Sequence, residues 1–148
     1  MGKTAKKRPK QNKQPVVSKK PEKDPSLVDN IAANPVWQIG LIDLQGPCGW
    51  MKIRHKEFFY TILPKIQNFE SMTWQEILGR NSHEIRVDQI SKSAQKRLTE
   101  LQLDDIEILV SLRLTGKQRI WGIKIQNIFK ILWWDPEHEI YPSKLKHT

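Results

Sequence analysis

The side chains best suited to chemistry gather in the last quarter of the chain. Residues 113–148 carry seven basic side chains (Arg113, Lys117, Arg119, Lys124, Lys130, Lys144 and Lys146) against three acidic ones (Asp135, Glu137 and Glu139). Trp121, Trp133, Trp134 and Tyr141 are interleaved with them. Cations displayed on strands hold a phosphodiester backbone, and an aromatic ring beside them stacks a base. Alternation along a strand sends Lys124 and Lys130 away from the apolar Ile123/Ile125 and Phe129/Ile131, and Arg113 away from Leu112 and Leu114. If these strands are neighbours, the three cations share a sheet face that helices leave uncovered. Arg119 has the parity of Trp121 and Ile123, which sets it apart from the other three.

Other constellations are weaker. Asp135, His138 and His147 are three potential ligands without a fixed scaffold, so no metal site is expected. Cys48, the single cysteine, has no His or Asn arranged around it for nucleophilic chemistry and cannot form an internal disulfide. Its solitary state fits a cytosolic protein. No Gly-rich phosphate loop or nucleophile elbow occurs, and no cofactor is expected. The three C-terminal tryptophans are expected in the core and over the sheet rather than as stacking platforms.

The elements that must position these residues follow from periodicity. Val36–Leu44 is rich in bulky residues and stopped by Gly46-Pro47, which predicts a strand. Phe59, Ile62, Leu63, Ile66 and Phe69 recur at helical spacing, predicting a helix over 55–70 that Pro64 should kink or restart. Thr73-Trp74-Gln75-Glu76 is a capping-box pattern that opens a short helix ending near Gly79. A short strand is expected over 84–88. Ser91 caps a further helix in which Ala94, Leu98 and Leu101 face inward while Lys96, Arg97 and Glu100 stay in water.

From residue 108 the period falls to two. Strands are expected at Ile108–Leu114, Arg119–Ile125 and Ile128–Trp134, joined by turns at Gly116-Lys117-Gln118 and Gln126-Asn127, with a last extended piece through Ile140 and Tyr141. The fold class is therefore α+β, an N-terminal strand and helices followed by an antiparallel meander.

Charge separates the chain into two parts. The formal net charge is +9 over 148 residues, but residues 1–24 alone hold nine basic and two acidic side chains. That Lys-, Pro- and Gln-rich start lacks the apolar surface to offset chain entropy, so residues 1–30 are expected to be a disordered basic tail and 31–148 a single domain. No apolar run approaches the length of a membrane span, and the start lacks the apolar stretch of a secretory signal.

The block Ser111-Leu112-Arg113-Leu114-Thr115-Gly116-Lys117-Gln118-Arg119-Ile120-Trp121 resembles the core pattern of the RelE/ParE toxin superfamily. It places an Arg on one strand, a Gly-containing turn, and an Arg opening the next strand. Ile128–Trp134 and His138-Glu139-Ile140-Tyr141 resemble that family's last strands, and the likeness covers roughly the last 35 residues. It is nearest to the RelE-like and YoeB-like RNA-cleaving members. It also extends to a widespread bacterial group for which it implies no activity.

The resemblance implies a RelE-like α+β domain acting as an endoribonuclease toxin in the cytoplasm, on mRNA at the ribosome, and neutralised by a small antitoxin protein. Cleavage by 2′-hydroxyl attack needs a base, an acid and cations for the crowded phosphate. The resemblance assigns phosphate stabilisation to Arg119 with Arg113, an acid/base role to His138, and a place near the base or leaving group to Tyr141. His and Tyr are adjacent in the YoeB-like relatives, whereas two residues separate His138 from Tyr141 here. Lys117, Lys124 and Lys130 complete the expected RNA-binding set. Glu100, Asp104 and Glu107 are available upstream as a carboxylate base, with no motif to choose among them. Two alternatives keep the fold: a non-catalytic module that binds protein or nucleic acid, and the gyrase-poisoning branch, which needs no His138.

Overall fold

The computed structural model describes residues 30–142. The expected basic tail therefore lies almost wholly outside the described residues, as do Lys144, Lys146 and His147. Five strands form one mixed sheet in the order β1-β5-β4-β3-β2: β1 (Val36–Gln38), β2 (His83–Arg86), β3 (Ile108–Arg113), β4 (Arg119–Ile125) and β5 (Ile128–Asp135). The expected meander β3-β4-β5 is antiparallel throughout, β2 joins it antiparallel to β3, and β1 pairs in parallel with β5.

The first strand is shorter than expected. After Gln38 the chain turns, with the Ile42 N–H donating to the Ile39 carbonyl. Ile39 is left exposed while Asp43 is drawn into the interior. The helix over 55–70 forms as α1 (His55–Glu57), a π-helical turn (Phe58–Ile62) and α2 (Leu63–Glu70). Pro64 has no N–H to return to the carbonyl of residue 60, and its ring crowds that turn, so the ladder widens just ahead of it.

At α3 (Trp74–Leu78) the Thr73 hydroxyl accepts from the Glu76 N–H at 3.3 Å, a cap worth about 1 kcal/mol. The Glu76 carboxylate reaches the Thr73 hydroxyl rather than its backbone N–H. Ser91 caps α4 (Lys92–Glu100) as expected.

Helices cover both faces of the sheet. On one, Val110, Leu112, Ile120, Phe129 and Trp134 pack with Ile62, Phe69, Trp74 and Ile77. On the other, Leu109, Trp121, Ile123 and Trp133 pack with Ile90, Ala94, Leu98 and Ile140. The expectation of a cationic sheet face free of helices fails on this point. Both parities of β3 to β5 carry apolar residues, so each face finds a cover.

The three tryptophans enter the core as expected, each at most 3% exposed. The β4–β5 ladder shifts register between Trp121 and Gly122. A Cβ on Gly122 would sit 2.3 Å from the Lys130 carbonyl oxygen and 2.5 Å from the Phe129 ring, so only glycine allows this approach. At the β4–β5 turn the left-handed residue is Gln126 (φ 55°), not Asn127. After Asp135 the chain turns instead of extending, so the expected piece through Ile140 and Tyr141 is not a strand.

Candidate functional site

Register decides which cations meet. Ile125 is opposite Ile128, so Lys124 falls opposite Phe129 and Lys130 opposite Ile123. The two lysines therefore leave opposite faces of the sheet. Lys124 lies over the Trp74 ring at 5.4 Å, on the side of α2 and α3. Lys130 has the α4 side but stands about 13 Å along the ladder from Arg119, at ~3.3 Å per strand residue. Lys117 is exposed in the β3–β4 turn. Arg119, set apart by the parity argument, is instead the direct cross-strand partner of Arg113. Both project on the α4 side, beyond the end of the apolar packing.

There they line a groove of about 220 Å³ together with His138 and Tyr141. Arg113, Arg119, His138 and Tyr141 are thus brought together, whereas Lys117, Lys124 and Lys130 lie outside the groove. The remaining lining residues are Asn81, His83, Ile85 and Ser111. Ser111 opens the block that carries the resemblance, but none of the four was assigned a role from the sequence. A strand start one residue earlier would have given His83 the parity of Ile85, and pairing then sets His83 opposite Ser111. Among the described residues no carboxylate lines the groove. Glu100 is engaged by Arg97 at 2.9 Å, and Glu107 borders a separate surface depression with Arg86 and Ile108.

Each wall of the groove is held from below. The Arg113 N–H donates to the buried Ser82 hydroxyl at 3.1 Å, where β2 has not yet begun to pair. Arg119 Nη1 donates to the carbonyls of Gly116 (2.7 Å) and Gln118 (3.0 Å), which folds the side chain over its own turn. Among the described residues neither arginine forms an ion pair with a carboxylate. Burial, then the neighbouring Arg113 cation, lowers the Arg119 pKa, with Asp135 opposing.

The turn that carries His138 hangs from Asp135, which is 1% exposed. Its carboxylate accepts from the N–H groups of Glu139 (2.8 Å) and Ile140 (3.0 Å) and from Trp121 Nε1 (3.2 Å). The Ile140 carbonyl in turn accepts from the Ser91 N–H at 2.7 Å, tying the turn to the start of α4. His138 itself has φ 58°, a left-handed conformation costly for a residue with a side chain. Asn81, also in the groove, has φ 95°. Strained residues of this kind concentrate at functional sites, where the surrounding structure holds them. Burial and the Arg119 cation lower the His138 pKa, which favours the neutral imidazole near pH 7.

Elsewhere the chemistry is structural. Burial above all, with the charges of Asp135 and Glu139, pushes the Cys48 thiol up to about 12, which removes it as a nucleophile. Among the described residues no group of three His, Cys, Asp or Glu side chains is placed to hold a metal ion, and no helix is long and apolar enough to cross a membrane. No protein-family model, curated protein or solved structure matches the chain.

Proposed function

We propose that the protein is an RNA-cleaving toxin whose active site is the groove between β2 and the turn after β5. The observation that carries this reading is the meeting of Arg113, Arg119, His138 and Tyr141 in one groove, with no carboxylate among the described residues on its walls. Two arginines directly opposite each other repel, a cost that an anion bound between them offsets. A phosphodiester matches that demand. Its adjacent 2′-hydroxyl supplies the nucleophile, and a neutral His138 is suited to take its proton. The 36% exposed Tyr141 offers a ring for a base.

Few catalytic groups suffice when a larger machine positions the substrate, which favours mRNA on the ribosome. A small antitoxin protein covering the groove is the partner this reading requires. A second reading, an RNA-holding groove without catalysis, is favoured by the lack, among the described residues, of a lining carboxylate to act as base.

Inducible expression of wild type, Arg119→Ala and His138→Ala, with mapping of RNA 5′ ends, tests the proposal. New 5′-hydroxyl ends and growth arrest are expected for wild type, with both reduced at least about tenfold in each variant. Equal growth and no new ends in all three strains would overturn the nuclease reading, and RNA retention without cleavage would establish the second.

A further inference from the structure

The missing proton-transfer partner in this groove is a histidine. Resting on the proposed cleavage reaction, we infer that His83 is its general acid, protonating the leaving 5′-oxygen while His138 takes the proton of the attacking 2′-hydroxyl. Transphosphorylation forms the 2′-oxygen–phosphorus bond and breaks the phosphorus–5′-oxygen bond, whose electron pair leaves with that oxygen. One group must therefore accept a proton and a second must donate one, on opposite sides of the phosphorus.

The order of elements supplies those two sides. His83 enters from β2, at one margin of the sheet, and His138 from the turn after β5. Arg113 and Arg119, on the two strands between, form the floor on which the phosphate would lie. The products are a 2′,3′-cyclic phosphate and a 5′-hydroxyl, with His83 left neutral and His138 protonated. Exchange with water resets both.

His83 is exposed, so nothing in the core depends on it. The titratable groups that share its groove are Arg113, Arg119, His138 and Tyr141, whereas neighbouring Glu84 leaves the opposite face of β2 opposite Val110. A proton on His83 is therefore not held by a carboxylate in the groove, as a general acid requires if it is to release it.

The test uses a single RNA oligonucleotide containing a cleaved linkage, and the same oligonucleotide with sulfur replacing the 5′-bridging oxygen at that linkage. A thiolate leaves without protonation, so it needs no acid. His83→Ala in the full chain is expected to slow cleavage of the oxygen-linked RNA by about 10²-fold or more while leaving the sulfur-linked RNA within about tenfold of wild type. His138→Ala should slow both.

Turnover of the sulfur-linked RNA also reports that the variant is folded, and His83→Gln provides a second variant that keeps a polar side chain on β2. Oxygen-linked cleavage at near wild-type rate in His83→Ala, or equal loss on both substrates with an unchanged circular-dichroism spectrum, overturns the assignment of His83 and leaves the nuclease reading standing. Failure of wild type to cut either RNA overturns the nuclease reading and this inference with it.

Discussion

Arg113 and Arg119 stand directly opposite each other on β3 and β4, without an ion-pairing carboxylate among the described residues. Cross-strand like charges cost a few tenths to about 1 kcal/mol, so this rung is a site where the fold has kept an unfavourable pair. Removing one arginine should relieve the repulsion and weaken anion binding together. For Arg113→Ala we expect a melting temperature no lower than wild type, weaker RNA binding, and a salt dependence shallower by about one unit of slope. Fluorescence titrations with labelled RNA at several salt concentrations read both. An unchanged slope would place the phosphate elsewhere.

The low pKa of His138 makes its titration a second check. Burial first, and then Arg119, disfavour the imidazolium, so the NMR midpoint of its ring should lie below the ordinary 6.5. Arg119→Gln removes one cause and leaves burial, so the midpoint should move up toward 6.5 without becoming that of an exposed histidine. The unfolded chain binds the proton more readily than the folded one in this window. Stability is therefore fully present above about pH 6.5 and is lost as pH falls through the folded midpoint. Denaturant melts between pH 7 and 5 should show this decline, and His138→Gln should flatten it.

On the same side of the sheet lies a second charged group, with a structural role. Asp43, 5% exposed, accepts from Arg97 Nε at 2.9 Å and Nη2 at 2.8 Å, from Trp133 Nε1 at 3.0 Å and from the Gln45 N–H at 3.2 Å. Burial alone would raise its pKa, but the hydrogen bonds from Arg97 and Trp133 outweigh it and hold the carboxyl below the ordinary 3.8. Gly46 admits the guanidinium, since a Cβ there would meet Arg97 Nε at 2.6 Å.

Asp43→Ala leaves the Trp133 N–H unpaired and Arg97 with Glu100 alone, and should cost about 1–3 kcal/mol in denaturant melts. The wild-type contribution is present above pH 3.8 and disappears as pH falls through the lower folded value. Because Asp43 is not in the groove, RNA cleavage below the melting range should persist in this variant.

Arg97 also shows where sequence reasoning stops. On α4 the spacing of Ala94, Leu98 and Leu101 identifies the inward face, and Arg97 beside it looks solvated. Its partner lies 54 residues away in a segment that reads as strand, and no local pattern announces that pairing. The strands β3 to β5 were legible because a two-residue period and short turns are local properties. Their faces were less so. Lys124 and Lys130 each oppose their own apolar neighbours, but a two-residue turn pairs residues 125 and 128 and so sends the lysines apart.

In the site, the sequence block around Gly116 points to the Arg113–Arg119 rung, and His138 with Tyr141 follows on the same side. His83 was hidden because its strand is short, at the sheet margin, and recognisable mainly from its pairing with β3.

The carboxylate that supports His138 yields the most demanding prediction. Asp135 accepts two successive backbone N–H groups, from Glu139 and Ile140, and the Trp121 indole N–H, so both of its oxygens are used. Asparagine at this position keeps the shape but turns one acceptor into a donor, which then confronts an N–H it formerly satisfied. That change should cost about 1–3 kcal/mol and release the 136–141 turn. His138 holds φ 58° in a turn tied at Asp135 and again at Ser91, so a released turn should let it shift within the groove. Asp135→Asn should therefore lower the turnover rate for RNA cleavage while leaving KM within a few-fold, since Arg113 and Arg119 keep their own supports. A variant with wild-type turnover, or one whose KM alone changes, would show that the Asp135 anchor does not position the imidazole.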